Sequence, residues 1–480
     1  MRLRPILFVI ALFLCILALL MLLPAALDLA DGNPGWVIFL TTGVISFFVG
    51  SMVLLVTYDE VIPSLGLKDL FAITAGCWLA LPLFASLPFL GLGLDVTSSF
   101  FEAMSGLTGT GATTLEKLNT LPRGILFWRA LLNWTGGFAI ILMAMIVMPY
   151  LRVGGMQLFQ SERSVRAEKL FPRALSIVSV VAGLYLSLTL LAATVFMLLG
   201  MTTFDAICHA MATMSTGGFS THDESIGFFK SPAIEWAVIV FMTIAAMPYF
   251  VFIAALKGDS FALPRDSQVR GLLTLLLVAS GGMALWLIVN RDITTWDAIR
   301  RSVFNVSSIL TTTGFRSGDY DIWGPLAFGV FFLLMFVGGT AGSTAGGMKI
   351  FRLQIATIIT RSHVLHLLSP NRIIALVYDG RRLASDVPFS IVAFLVSYIG
   401  TVGLVAVVLS GFGLEIVTAI SSAASAVGNV GPGLGPVVGP GGSFADLPQG
   451  AKWTLALAML FGRLELFTLL VLVRPEFWRG

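Results

Sequence analysis

Four short polar segments, each centred on a glycine, are the places in this 480-residue chain where chemistry could occur. Their sequences are TGTGAT, STGGFS, TTTGFR and NVGPGLG, and their central residues are Gly111, Gly218, Gly314 and Gly431. Glycine adopts a positive φ at no steric cost, which lets successive backbone carbonyl groups point the same way. Carbonyl oxygens around a common axis can replace the hydration shell of a cation. The four segments therefore predict a cation site built from the backbone rather than from side chains.

The residues beside these glycines leave two interpretations open. An ordinary tight turn explains any one of the glycines, whereas four glycines in equivalent places favour a shared site. The neighbouring threonines suit two roles equally, which are capping the ends of the preceding helices and lining an ion path. These threonines are Thr110, Thr216, Thr312 and Thr313.

A second group of glycines lies further along the chain, in the sequence GGTAGSTAGG at residues 338–347. We call this segment the glycine-rich stretch. Each glycine in a helix interior costs about 1 kcal/mol relative to alanine, so we expect the stretch to be unwound. Close approach of two helices through small residues is the alternative explanation.

Arg463 lies inside the last apolar segment, well before the arginine at its end, Arg474. A charged side chain within a bilayer costs about 2.5–3.5 kcal/mol on insertion scales and is a functional candidate for that reason. Glu465 is two positions away and cannot pair with Arg463 on one helix face. We expect the Arg463 side chain to point into the path along which the cation moves, where its positive charge is a barrier. The alternative is an ion pair between helices that has no role in transport.

The composition indicates which kind of protein must position these residues. Hydrophobic residues make up 57% of the chain and charged residues 11%, against about 25% charged residues in soluble domains. Apolar runs of about 20 residues, the length that crosses a bilayer, recur along the sequence. We predict an all-α polytopic membrane protein. The net charge of +3 gives no reason to expect nucleic acid, and the three cysteines lack disulfide or zinc spacing.

One unit recurs four times after two N-terminal transmembrane helices in residues 1–60. Each unit holds an apolar helix, a short semi-polar helix, a glycine loop and a second apolar helix opened by a proline. The units span residues 69–152, 174–257, 270–352 and 385–474, and the prolines are Pro122, Pro232, Pro325 and Pro448. The short helices are predicted near 97–108, 204–215, 297–311 and 415–427, too short to span and too polar for lipid. Irregular backbone at membrane depth must face protein or water, so we expect four helix–pore loop–helix units around one ion pore.

Charge placement predicts the orientation of the chain. Lysine and arginine concentrate at both ends and in residues 161–173, 257–270 and 352–382, whereas the glycine loops are neutral or acidic. Basic loops remain in the cytoplasm. We therefore expect ten spans, both termini in the cytoplasm and the glycine loops outside.

With these motifs in this order, the chain resembles the Trk/Ktr/HKT superfamily of potassium transporters, most closely the bacterial Trk-type membrane subunit. The resemblance covers essentially the whole chain and includes the loops TGGFSTHD, TTTGFRSGDYDIW and NVGPGLGP. It implies potassium uptake across the bacterial inner membrane, with Gly111 favouring potassium over sodium. Ala112 and Pro432 stand where the family usually has phenylalanine, so the first and fourth loops depart from its pattern.

The loops and the resemblance together identify candidate functional residues. The expected potassium filter contains Thr110, Gly111, Gly217, Gly218, Thr313, Gly314, Asn429, Val430 and Gly431. The expected gate contains Gly338, Gly339, Gly342, Ser343, Thr344, Gly346, Gly347 and Arg463. The resemblance also implies a homodimer in membrane lipid, with a cytoplasmic partner ring that binds NAD or ATP. No cofactor is expected on this chain, and potassium is the transported ion.

Two other functions remain as alternatives. A sodium- or proton-coupled symporter typically has inverted repeats and buried carboxylates, whereas the repeats here all run in one direction. A membrane enzyme needs a catalytic or metal-ligand cluster, and the sequence shows no such motif. His209 is either a proton site or a hydrogen-bonded structural residue. Lys452 and Glu235 are expected at the membrane interface, and His363 and His366 at the cytoplasmic surface.

Overall fold

The computed structural model describes residues 3–59, 66–147, 170–372 and 374–479. This part of the chain is helical almost throughout, as the composition predicts. Its two strands form a hairpin in which Val377–Tyr378 pairs antiparallel with Arg381–Arg382.

Seven helical segments of the described chain are long and apolar enough to cross a membrane. They are Leu3–Ala30, Trp36–Thr57, Lys68–Gly91, Arg123–Met145, Val178–Leu198, Ser267–Asn290 and Asp386–Gly411. An eighth is present if the bent pair Pro232–Ala245 and Tyr249–Leu256 forms one span. The remaining two of the ten predicted spans are interrupted. One is Pro325–Leu334 followed by Ile350–Leu368, and the other is Gln449–Arg463 followed by Phe467–Val473. The predicted end of the first repeat near Arg152 and most of the basic segment at 161–173 lie outside the described residues.

Two of these interruptions were not predicted. The helix that starts at Pro232 turns by 91° before Tyr249, next to Pro248, whose ring removes a backbone donor and obstructs the preceding helical turn. The last long helix stops at Arg463, and the following Glu465 and Leu466 have left-handed φ values of 56° and 51°. The single apolar helix predicted after the proline is therefore interrupted in both the second and the fourth repeat.

The four short helices are Val96–Thr108, Thr203–Met214, Thr295–Leu310 and Ile416–Gly428, all within two residues of their predicted bounds. The first three are capped at their N-termini by polar side chains. Asp95, Thr202 and Thr294 each accept a hydrogen bond from the backbone N–H three residues later, at 3.1–3.2 Å. Such caps satisfy a backbone donor that the helix leaves free, which fixes where each short helix begins.

All four short helices end in the same way. The residue after the helix or its cap is left-handed, with φ between 50° and 63°, at Gly109, Thr216, Thr312 and Asn429. The next backbone N–H then bonds to the carbonyl oxygen five residues earlier, at 2.9–3.0 Å in every case. This is the Schellman arrangement, which satisfies the last carbonyl groups and turns the chain sharply out of the helix. The four glycine loops therefore leave their helices in equivalent directions.

The long helix after each loop begins at or directly after the predicted proline. Pro232 and Pro325 are first residues of their helices, and Pro122 and Pro448 immediately precede theirs. Proline suits this position because the backbone N–H that it lacks would have no helical partner. Each glycine loop is thus held between a short helix and a long helix.

Candidate functional site

The four glycine loops lie against one another in a closed ring. We number them 1 to 4 after their central residues Gly111, Gly218, Gly314 and Gly431. A Cβ built on each of these glycines would meet the backbone carbonyl oxygen of the next loop. In the order of the loops, these oxygens belong to Gly217, Thr313, Val430 and Thr110. The Thr110 oxygen would lie 2.8 Å from a Cβ on Gly431. Because loop 4 returns to loop 1, the four loops surround a common axis, and any side chain at the central positions would break the ring.

In each loop, two left-handed residues are separated by one residue that is not left-handed. The central glycines have φ values of 81°, 70°, 79° and 110°, and the residue two positions earlier is also left-handed in every loop. Left-handed backbone at alternate residues turns successive peptide groups to the same side, as glycine readily allows. The ring can therefore present several carbonyl oxygens to one ion.

A cavity of about 90 Å³ opens onto one side of the ring and is lined by residues of all four loops. Asp321 stands in the segment after loop 3, and its Oδ2 accepts a hydrogen bond of 3.1 Å from the N–H of Gly435 after loop 4. Burial and the neighbouring carboxylate of Asp319 raise the pKa of Asp321 to about 6. The segments beyond the ring thus carry an acid that titrates near neutral pH.

The glycine-rich stretch lies on the other side of the third and fourth loops. No helix is present between Leu334 and Ile350, as the glycine content predicts. The N–H of Gly346 donates to Oγ1 of Thr312 at 2.7 Å, and a Cβ on Gly346 would lie 2.9 Å from the Cβ of Asn429. The stretch therefore contacts the residues from which loops 3 and 4 emerge.

The bend beside Pro248 anchors this stretch. Because the helix breaks there, the carbonyl groups of Ala245 and Ala246 are free to accept other donors. Thr340 donates to Ala246 from its backbone N–H at 3.0 Å and from its hydroxyl at 2.8 Å. The Thr344 hydroxyl donates to the oxygen of Ala245 at 3.1 Å. The interrupted helix of the second repeat thus binds the glycine-rich stretch that interrupts the third.

Arg463 lies between the glycine-rich stretch and loop 1. Its side chain is 3% exposed, and its guanidinium donates to the carbonyl oxygen of Thr344 at 2.9 Å. Another of its nitrogens would be 3.4 Å from a Cβ on Gly109. None of the ion pairs in the described part of the chain includes Arg463, whereas Glu465 pairs with Arg352. The ion pair between helices that the sequence left open for Arg463 is therefore not formed.

The threonines beside the glycines are engaged inside the protein. The Thr110 and Thr313 hydroxyls lie 2.8 Å from those of Thr108 and Thr311, at the ends of the short helices. The hydroxyl of Thr216 donates to a neighbouring carbonyl oxygen at 2.7 Å. These contacts hold the three hydroxyls against the ends of the short helices.

A buried ion pair behind loops 1 and 2 was missed from the sequence. Arg129, on the long helix Arg123–Leu142, donates to Glu102 of the first short helix at 2.8 Å, and both side chains are at most 1% exposed. The same guanidinium donates to the Ser220 carbonyl oxygen at 2.9 Å and to Thr113 at 3.1 Å. The signal was present, because a glutamate in so apolar a short helix needs a buried partner.

Several minor candidates are now placed. His209 is fully buried between the carbonyl oxygen of Asp205 and the hydroxyl of Ser220, at 2.8 and 2.9 Å, which indicates a structural role. The interfacial prediction for Lys452 and Glu235 was wrong, since both are at most 6% exposed. Lys452 donates to the Ala445 oxygen at 2.7 Å and to Ser98, and Glu235 pairs with Arg300 at 2.6 Å. His363 and His366 are exposed, as predicted.

Cys15, Cys77 and Cys208 are free thiols. In the described ranges, no group of three or more histidine, cysteine or acidic residues could hold a metal ion.

Comparison with known proteins identifies the family. A family model described as TrkH, a cation transport protein, matches residues 37–479. The chain belongs to the TrkH family. It is 40% identical over its full length to the Trk system potassium uptake protein TrkI of Halomonas elongata, covering 97% of that protein. It is also 36% identical to the Trk system potassium uptake protein TrkH of Vibrio parahaemolyticus, with both chains fully covered.

The fold agrees with this membership. The crystal structure of the potassium transporter TrkH from Vibrio parahaemolyticus superimposes with a TM-score of 0.92 at 33% identity and covers the whole of both chains. TrkH-family membership makes this chain a cation transport protein rather than a member of an enzyme family.

Proposed function

We propose that this TrkH-family chain takes up potassium ions across the bacterial inner membrane through a filter formed by its four glycine loops. The observation that carries the proposal is the closed ring in which each central glycine faces a carbonyl oxygen of the next loop. The names of the similar proteins, which are potassium uptake proteins, support the choice of ion.

The filter binds the ion through main-chain oxygens that replace its hydration shell. Each of the four short helices ends at the ring, and a helix C-terminus carries about half a negative charge. The filter residues are those expected from the sequence, Thr110, Gly111, Gly217, Gly218, Thr313, Gly314, Asn429, Val430 and Gly431. The threonine side chains support the loops from behind, because their hydroxyls are already engaged.

The glycine-rich stretch and Arg463 form the gate beneath this filter. The Thr344–Arg463 hydrogen bond holds a fixed positive charge beside Gly109, at the start of loop 1. A cation that leaves the filter meets this charge in surroundings of low dielectric constant, where repulsion is strong. Opening requires the glycine-rich stretch to release Ala245, Ala246 and Thr312. The gate residues are Gly338, Gly339, Gly342, Ser343, Thr344, Gly346, Gly347 and Arg463.

Orientation and partners complete the proposal. We place both termini in the cytoplasm, because exposed arginines cluster after the third repeat, at Arg361, Arg372, Arg381 and Arg382. A homodimer and a cytoplasmic nucleotide-binding ring follow from the family resemblance, with the ring docking on this basic segment. Replacing the four arginines with glutamine should weaken copurification of the ring without weakening the homodimer. Equal copurification would place the docking site elsewhere.

The direct test of the proposed function uses two measurements on the whole chain. Bacterial cells that require added potassium for growth are transformed with the gene, and the purified protein is reconstituted in liposomes for rubidium uptake. We expect growth at low potassium and a rubidium flux that excess potassium suppresses. Protein that reaches the membrane but supports neither growth nor flux would refute potassium uptake.

A further inference from the structure

Loop 2 differs from the other loops at the residue before its central glycine. This residue is threonine in loops 1 and 3, where Thr110 and Thr313 bond at 2.8 Å to a threonine of the preceding short helix. In loop 4 it is Val430, which is fully buried. In loop 2 it is Gly217, which has no side chain to hold the loop in place.

The backbone at Gly217 does not require glycine. Its φ lies outside the left-handed region, in contrast to the φ of 70° at Gly218. Space is what excludes a side chain here. A Cβ on Gly217 would lie 2.5 Å from Cγ and Nδ2 of Asn133 and 2.9 Å from its Oδ1. The carboxamide of Asn133 therefore occupies the volume that a side chain on residue 217 would fill.

Asn133 reaches this position from the neighbouring long helix, Arg123–Leu142, and is completely buried. Neither Oδ1 nor Nδ2 of its carboxamide has a hydrogen-bond partner within the described residues. A buried polar group without partners costs about 1–3 kcal/mol, so an apolar residue would suit folding better. Unpartnered groups of this kind in a native fold call for an explanation other than stability.

We propose that Asn133 is a positioning residue for ion selectivity, which supplies to loop 2 the side chain that Gly217 lacks. The inference rests on the proposed potassium filter. The carboxamide lies against the residue whose carbonyl oxygen adjoins Gly111, so it supports the junction between loops 1 and 2. Without it, the Gly217–Gly218 pair has room to relax away from loop 1, and two consecutive glycines resist that motion least.

The first test compares rubidium and sodium uptake by reconstituted Asn133→Ala protein. We expect the rubidium-to-sodium ratio to fall about tenfold, which corresponds to a loss of about 1.4 kcal/mol of discrimination. Asn133→Ser, which keeps a polar group but not the volume, should show the same loss. Thr135→Val is the matched control on the same helix, because its hydroxyl bonds only to helix carbonyl oxygens, and its ratio should equal that of the wild type.

The second test moves the side chain from one partner to the other. Gly217→Ala alone should lose selectivity, because its methyl group collides with the carboxamide of Asn133. The double variant Asn133→Ala with Gly217→Ala places that methyl group in the vacated volume. Its selectivity should return to within about threefold of the wild type, a coupling of the size seen between contacting residues. A purely structural role for Asn133 predicts no such recovery.

The outcomes separate the two proposals. A wild-type protein that does not prefer rubidium over sodium contradicts potassium uptake itself. A selective wild type with equally selective Asn133→Ala and Asn133→Ser variants, or a double variant no better than the single variants, overturns the role of Asn133 and leaves the filter standing.

Discussion

Arg463 and Thr344 are joined by a hydrogen bond of 2.9 Å between a guanidinium and a backbone carbonyl oxygen. This contact connects the last long helix of the chain to the glycine-rich stretch of the third repeat. It also orients the side chain of Arg463, which is the last residue of its helix. A charge and a loop that were separate candidates in the sequence therefore form one unit.

Removing the charge of Arg463 should increase ion flux. We expect Arg463→Met, which keeps length but no charge, to raise rubidium flux through reconstituted protein about tenfold, as for a barrier lowered by about 1.4 kcal/mol. Arg463→Lys retains the charge and should stay near the wild-type flux. Equal effects of methionine and lysine, or lower flux with methionine at equal expression, would contradict an electrostatic barrier.

The break after Arg463 depends on a buried ion pair. Glu465 pairs with Arg352, and both side chains are buried. Glu465→Gln removes the carboxylate that pairs with this buried arginine, which should destabilise the fold by about 3–5 kcal/mol. Thermal unfolding in detergent measures the loss, and Glu476→Gln, at an exposed position, serves as the control. Equal midpoints for the two variants would show that the pair contributes little.

The Glu102–Arg129 pair gives a prediction about coupling. Either Glu102→Gln or Arg129→Met alone leaves one buried charge without its partner behind loops 1 and 2. The double variant removes both charges and should be more stable than at least the Arg129→Met single variant, as found for buried pairs replaced together. The unfolding free energies of the wild type and the three variants form the double-mutant cycle. Strict additivity would mean that the two residues do not interact.

Uptake should depend on external pH through Asp321. With a pKa of about 6, raised by burial and by Asp319, this carboxyl is mostly charged at pH 7 and mostly neutral at pH 5. Its protonation removes a negative charge near the mouth of the filter, so uptake at low ionic strength should fall as pH decreases across this window.

Asp321→Asn is the matched variant, because its carbonyl oxygen can still accept the N–H of Gly435. The informative quantity is the difference between the pH profiles of the wild type and the variant. The wild type should lose about twofold more uptake than the variant between pH 7 and pH 5. Superimposable profiles would rule out Asp321 as the titrating group.

Much of the architecture could be predicted because its signals are local. Glycine marks the left-handed turns, proline marks helix starts, and Asp95, Thr202 and Thr294 mark the N-termini of short helices. The bounds of all four short helices were predicted within two residues from their polarity and their position before each glycine loop, without use of these capping residues. Repetition added to these signals, because one motif that recurs four times is stronger than any single copy.

What could not be predicted depends on contacts between distant segments. The break at Glu465 is accompanied by an ion pair with Arg352, and nothing in the local sequence distinguishes it from an ordinary helix. Lys452 was predicted at the membrane interface, and the partners that bury it, Ser98 and Ala445, lie outside its helix, where the local sequence does not reveal them. Pro248 was a local signal that was overlooked, and it would have revealed the bend in the second repeat.

The central claim is that main-chain oxygens of the four-loop ring select the ion, and Gly314→Ser tests it most directly. Gly314 has a φ of 79°, and a side chain there would collide with the carbonyl oxygen of Val430. Gly318 lies in the same segment with open space around its Cα, so Gly318→Ser is the matched control. Rubidium and sodium uptake by both variants are measured in liposomes. The ring predicts that Gly314→Ser loses its preference for rubidium while Gly318→Ser keeps it; an unchanged preference in Gly314→Ser would contradict the account.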